Sequence, residues 1–464
     1  MNSKIIITGL VAAIVIVAGG SAAYILANQS KSPIPEVEAT VEIYGNANND
    51  AYMDDDDVSL LKDIAESGYW DSSKYPFADA DLDGFITQKD VEIVKKIINE
   101  EQCTVYYKNY FGEAQPLSYP MKGQLIGLTY WQQAEMMAAL GLWDLVRAGP
   151  HNYQNWYNHL YPLDKVTIYQ AKNSHNSGVT DSASEVFKST GVQVIVATPT
   201  EANRTALQKF VDDGVNVIYL WYTGDWSIPT MMTLGILLGA KEKAKEYYDF
   251  ANDVINTIND RLDGHTRKTA LVCSNSVKLG SDAVTTTFSI HSNPHEGNYY
   301  FTNLVANAYT NSSDLTEFGA SSRSMEWLLL HDAEFDYLGM WVNQSGFANG
   351  ADGSGVMITQ EQYNERFDAG VDGYQQTTAY KNGNVFAMPY DMLGGISGYG
   401  LVMTIAFVMY PELFTLEEAQ DKLQEWFDRF TVSGQVDGGI NVRTMGAYMY
   451  TGSYYKTSYS DYLS

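Results

Sequence analysis

Beyond Cys103 the chain alternates short runs of consecutive apolar residues with longer stretches in which apolar positions recur every three or four residues. Continuous runs suit strands buried on both faces and the longer spacing suits crossover helices, so the pattern predicts a parallel α/β sheet. Its strands fall at residues 124–128, 145–148, 192–197, 216–220, 269–273, 335–340 and 384–388. Residues 241–262 lack Gly and Pro and are apolar at helical spacing, which predicts one long helix of about six turns. Gly264 follows, where a left-handed cap is favourable. Before Cys103 the pattern differs. Residues 5–27 are almost wholly apolar, long enough to cross a bilayer as a helix of about twenty residues. Two acidic stretches come next, each running directly into an apolar-patterned helix.

Those acidic stretches carry the ligand spacing of calcium loops. A hard cation takes six to eight oxygens from loop positions 1, 3, 5, 7, 9 and 12. Residues 79–90 supply Asp79, Asp81, Asp83 and Asp90, the carbonyl of Phe85, and Gly84 at the sharp turn. Residues 46–57 place Asn46, Asn48, Asp50, Asp54 and Asp57 in the same positions, with neutral Asn46 first and Ala51 instead of glycine, so weaker binding is expected. Both loops end in Asp with a helix starting there, and in this residues 40–100 resemble the dockerin module. Ala51 and the insert from Tyr69 to Tyr75 depart from its pattern. The resemblance implies a cohesin-like protein partner, while a calcium-stiffened spacer is the plainer use of such a repeat.

Charge and cysteine content narrow the setting. The net charge of −27 argues against nucleic acid and anionic lipid as partners, since phosphate contacts need basic patches. Lys4 precedes the apolar segment and Lys31 follows it, so the body is expected outside the cytoplasm behind a single-pass membrane anchor. A cleaved signal peptide is the competing reading, with Ser21 to Ala23 as the small residues. The only thiols, Cys103 in a linker and Cys273 on a core strand, are expected to stay unpaired. Asn28, Asn203, Asn311 and Asn343 head sequons that permit N-glycans on an exported chain.

One α/β lobe, a single long helix and a second α/β lobe form the layout of the helical-backbone class of extracellular solute-binding proteins, which serve ABC importers of siderophores, haem and corrinoids. The body resembles that class in further segments. Tyr110, Phe111, Gly112 and then Pro120 look like its opening; Glu135 to Gly141 look like its first helix with a Leu-Gly turn. Residues 375–386 resemble its late hairpin, and Tyr410 to Phe414 its closing turn. Ser184-Glu185-Val186-Phe187 and Ser324-Met325-Glu326-Trp327 look like its two permease-docking motifs, which implies that Glu185 and Glu326 meet arginines of an ABC permease. Both are also ordinary positions for a glutamate near a helix start.

In such a fold, ligands collect beyond the carboxyl ends of the strands. The expected cleft residues are Tyr130, Trp131, His151, Trp221, Tyr222, His291, His295, Trp341 and Tyr390. Their aromatic bias suits a bulky metal chelate better than a bare ion; His291 and His295 are the candidates for axial coordination. The sequence contains no nucleophile with base and orienting acid, phosphate-cradling loop or zinc motif, so no enzyme is expected.

The expected organisation is an anchor at 1–30, a small all-α dockerin-like calcium module at 40–102, two Rossmann-like lobes at 105–240 and 264–432 joined by the helix at 241–263, and a Tyr- and Gly-rich flexible tail at 433–464. The function implied is capture of a metal chelate for an ABC importer. The alternative is a calcium-dependent surface scaffold or adhesion protein acting through the module.

Overall fold

The computed structural model describes residues 39–151, 160–171, 179–274, 278–279, 286–291, 295–309, 320–342, 374–435 and 439–444. The apolar segment at 5–27 and the sequons at Asn28, Asn311 and Asn343 lie outside them. Among the described residues, no helix is long and apolar enough to cross a membrane.

Helices α1 (Asp55–Ser67) and α2 (Gln88–Ile98) pack Val58, Leu61 and Ile64 against Val91 and Val94. Asp54 and Thr87 cap their starts, each in a reciprocal capping box with the carboxylate three residues on. An antiparallel hairpin follows, β1 (Cys103–Lys108) and β2 (Ala114–Tyr119). Cys103 therefore opens a strand where a linker was expected, and both cysteines are free.

The N lobe is a five-stranded sheet of β3 (Ile126–Leu128), β4 (Val146–Pro150), β5 (Thr167–Tyr169), β6 (Val194–Ala197) and β7 (Asn216–Tyr219), parallel throughout in the order β5-β4-β3-β6-β7. Helices α4 (Asp181–Ser189) and α5 (Glu201–Asp212) cover one face through Phe187, Leu207 and Phe210. The other face packs on α3 (Gln133–Ala139) and α6 (Ser227–Leu237). Asn203 on α5 is wholly buried; its Oδ1 accepts from Val179 N at 3.0 Å and its Nδ2 donates to Thr198 O at 2.9 Å. A glycan is incompatible with those contacts.

Helix α7 (Lys241–Leu262) buries Ala244, Tyr247, Ala251, Val254, Ile258 and Leu262, a single stripe at helical spacing. Gly264 beyond it takes φ +74°. The C lobe has β8 (Thr269–Ser274), β13 (Tyr337–Val342) and β14 (Val385–Pro389) in parallel. Strands β10 (Thr286–His291) and β12 (Ala320–Ser324) extend the sheet with antiparallel pairings, β10 against β8 and β12 against β10, so it is mixed where a parallel one was expected. Short strands β9 (Lys278–Leu279) and β11 (Asn307–Ala308) pair with β10 and β8. The segment expected as a hairpin at 375–386 is a short helix, Thr378–Lys381, turning through Gly383 (φ +69°) into β14. Helices α8 (Gly297–Val305), α9 (Met325–Leu330), α12 (Gly398–Met409) and α13 (Leu416–Phe430) complete the lobe, with short helices α10 (Thr378–Lys381) and α11 (Tyr390–Leu393) before α12.

The two helices of the module keep a small core of their own, while one larger core takes in the module's edge residues Ile43 and Ile97 and runs on through the N lobe, α7 and the C-lobe helices, including Leu117, Leu234, Tyr247, Tyr399 and Trp426. The described part of the tail packs as well. Ile440 and Val442 are buried, Gln424 bonds both of their backbones, and Ser433 N donates to Leu160 O at 3.2 Å.

Candidate functional site

The strand order β5-β4-β3-β6-β7 reverses direction between β3 and β6, and the crevice at such a switch point is where an open α/β sheet takes ligands. Its floor is built from Thr129 and Thr198. Thr129 Oγ1 accepts from Thr198 N at 2.7 Å, Thr129 N donates to Val196 O at 3.2 Å, and Gln133 Oε1 accepts from the N–H groups of Thr129 and Tyr130, both at 2.9 Å. Satisfied in this way, the buried backbone ends hold the next residue, Tyr130, above the sheet. Tyr130 is half-buried, and burial pushes its hydroxyl up to about 12, so it presents a neutral O–H.

From Tyr130 a row of rings follows the β7 side of the crevice. Tyr130 lies 6.2 Å from Tyr222, Tyr222 stacks on Trp221 at 5.6 Å, Trp221 neighbours Tyr110 at 6.2 Å, and Tyr110 meets Trp226 edge-on at 5.3 Å. Tyr110 stands at the hairpin tip, its N–H bonded to Tyr219 O at 2.9 Å, and is 45% exposed. Trp131 and Tyr222, expected to line the cleft, are buried at 4% and 0% exposure. In each adjacent aromatic pair one ring is taken by the core and the other, Tyr130 or Trp221, stays half-exposed.

At the end of the row the lobes meet. His295 of the C lobe stacks on Trp226 with ring centroids 4.1 Å apart, and its Nδ1 lies 2.8 Å from Asp225 Oδ1. Thr223 Oγ1 donates to His295 O at 2.8 Å. Gly224 takes φ +58°, and a Cβ there would stand 2.6 Å from His295 O. Deeper in the seam, Ser397 Oγ of the C lobe donates to Glu135 Oε2 at 2.9 Å. His295 thus reaches the cleft as a seam residue, bound to the opposite lobe.

The remaining expected residues divide. His151 follows β4 and is half-buried; its Nδ1 accepts from Ala171 N at 3.2 Å, which ties its ring to the loop after β5. The side chains of His291, Trp341 and Tyr390 lie outside the described residues. Glu185 and Glu326 are both exposed, on α4 and α9. Glu326 sits in a first turn, where the dipole alone accounts for a carboxylate; Glu185 lies in mid-helix, where it does not. Asp225, Trp226 and Thr223 were missed in the sequence, although four aromatic rings within residues 219–226 mark that loop.

The two acidic loops are built alike. Asp57 and Asp90 each accept from the N–H of the second loop residue, Ala47 and Ala80, at 2.8 Å in both cases. Each also accepts from the ninth, Asp54 at 2.9 Å and Thr87 at 2.8 Å. Asn49 (φ 61°) and Leu82 (φ 59°), the fourth residues, share the left-handed conformation. One carboxylate oxygen from each of Asp79, Asp81 and Asp83 lies within 4.8 Å of the others, and Lys89 ion-pairs with Asp81. Burial pushes Asp57 up to about 7, against the N–H donors of Asp54, Asn48 and Ala47, and burial also raises Asp79. Asn46 in the first ligand position is wholly buried with no hydrogen-bond partner for Oδ1. An orphaned oxygen and carboxylates held up by burial fit a hard cation.

No known family profile matches the sequence, and no curated protein matches it. Solved structures do share its fold, the two-lobed α/β architecture of periplasmic binding proteins. The TroA-like periplasmic binding protein FepB from Veillonella parvula superposes with a TM-score of 0.53 at 14% identity, over 74% of this chain and 98% of that one. CeuE of Helicobacter pylori, solved with Ni(II) bound, gives 0.50 at 15% identity over 71% and 96%. A periplasmic solute-binding protein from Veillonella parvula gives 0.50 at 12% identity over 71% and 93%.

Proposed function

We propose that this chain is the solute-binding component of an ABC importer, acting without catalysis and held outside the cytoplasm by its N-terminal apolar segment. The observation that carries the reading is the row of half-exposed rings, Tyr130, Trp221, Tyr110 and Trp226, beside the switch-point crevice of a two-lobed fold bridged by one helix. Rings give wide contact at little entropic cost, which favours a bulky, flat-faced metal chelate such as a siderophore complex, haem or a corrinoid. Glu185 and Glu326 are the residues proposed to meet the permease, and Ca²⁺ is the cation proposed for the loops at 46–57 and 79–90.

The test is native mass spectrometry of residues 32–464 after incubation with ferric siderophores, haem and corrinoids. A retained chelate whose occupancy falls in Trp221→Ala supports the reading; no adduct across the panel sinks it. The scaffold alternative draws on Phe85 and Tyr69, 71% and 72% exposed on the module. Calcium-dependent capture of a cohesin-like protein, abolished by Phe85→Ser, would favour it.

A further inference from the structure

The calcium module has a small core of its own, yet its edge residues Val41, Ile43, Ala51 and Ile97 are buried in the core of the N lobe. Residues 42–44 lie antiparallel against β1 of the hairpin through a single bridge: Tyr44 N donates to Tyr106 O and Lys108 N to Glu42 O, both at 2.9 Å, around the Ile43–Tyr107 pair. Asn46, the first ligand position, follows after Gly45. At the module's other end, Ile97 O near the end of α2 accepts from Tyr119 Oη at 2.9 Å. Tyr52, the seventh residue of the first loop, meets Tyr248 of α7 edge-on at 5.9 Å, and Glu42 N donates to Thr233 Oγ1 of α6 at 3.1 Å. The hairpin is in turn fixed to β7. Tyr107 Oη accepts from Tyr219 N at 2.8 Å and Gln115 Nε2 donates to Val217 O at 2.8 Å. Its tip carries Tyr110 to the lip of the crevice.

We infer that the module's partner is this chain's own N lobe, and that cation binding in its loops braces the solute-binding body. Ca²⁺ that orders Asn46, whose Nδ2 donates to Val41 O at 2.9 Å, and the loop after it fixes the bridged segment at 42–44, and through the hairpin fixes both the β7 edge and Tyr110. A ligand that binds only the folded state stabilises everything that unfolds with its site. Here that unit includes the N lobe and α7, because Val41, Ile43, Ala51 and Ile97 share one buried cluster with Leu117, Met121, Leu234 and Tyr247.

The inference rests on the calcium reading, and two measurements on residues 32–464 separate them. Calcium titration by calorimetry reads binding, and scanning calorimetry with calcium or chelator reads its reach. The expected result is one main transition raised by roughly 5 °C per filled site at a hundredfold excess over the dissociation constant. The rise should shrink in Asp79→Asn/Asp83→Asn. Tyr119→Phe should bind calcium with unchanged stoichiometry yet transmit less of the shift. Calcium binding with a separately melting module and an unmoved main transition overturns the brace alone; absence of calcium binding overturns the calcium reading and the brace with it.

Discussion

Replacing Gly224 by alanine places a methyl group 2.6 Å from His295 O, on the seam between the lobes. Two penalties are expected. Alanine at φ +58° costs about 1–2 kcal/mol. Pushing a backbone carbonyl aside in a closed contact costs about 1–3 kcal/mol more, because His295 is held there by Thr223, Asp225 and Trp226. A matched control isolates the second penalty. Gly214 has φ +85° and nothing within 4 Å of its would-be Cβ, so Gly214→Ala pays the backbone penalty alone, and the glycine's unfolded-state entropy cancels between the two. Urea unfolding followed by tryptophan fluorescence and far-UV dichroism should place Gly224→Ala about 1–3 kcal/mol below Gly214→Ala with the same m-value. Equal losses in the two variants would refute a closed seam at this point.

Other outcomes follow from the same geometry. Thr129→Val leaves the buried Thr198 N–H without its acceptor and should cost about 1–3 kcal/mol, while Thr129→Ser restores most of it in the same urea assay. Hydrogen bonds from Arg261 hold Glu418 down at about 2. A lowered carboxylate contributes stability above its ordinary value of 4.5 and loses it as pH falls toward 2. The pair is 35% and 41% exposed, so the contribution is under about 1 kcal/mol, and Glu418→Gln should lower the neutral plateau of the melting temperature slightly and flatten its acid limb between those pH values, so that the two proteins converge near pH 2. Tyr130→Ala and Trp221→Ala should each weaken chelate binding by about tenfold, the equivalent of about 1.4 kcal/mol of ring contact, and unchanged titrations would remove these rings from the site.

The α/β body was legible where burial is uniform. The parallel strands β3, β6 and β7 are buried throughout and apolar but for Asn216, and Lys241–Leu262 carries an unbroken helical stripe, so both declare themselves locally. The hairpin was not legible, because Ala114–Tyr119 alternates exposed and buried residues and contains a proline; its pairing with β1 and its hold on β7 depend on distant residues. Strands β10 and β12 are equally obscure. Arg323 and the serines around it have no strand signature, and only register against β10 defines them. In the site, Tyr130 and Trp221 were readable from their place after a strand, yet sequence does not say which ring of an adjacent pair the core takes. Asp225 and His295 are 70 residues apart, and only the docking of the two lobes makes them partners.

Asn203 begins the triplet Asn203-Arg204-Thr205, and its amide is sealed between Thr198 and Val179. In a host that attaches sugars to nascent chains, transfer to this amide and closure of the N lobe are therefore rival, mutually exclusive fates, decided by which is faster. A chain modified first cannot bury Asn203 against Thr198 and Val179, and heterologous product from such a host should divide into a folded, unmodified fraction and a modified fraction retained by quality control. Thr205 is exposed, so Thr205→Ala removes the acceptor signal, leaves both buried hydrogen bonds in place and should merge the two fractions into one.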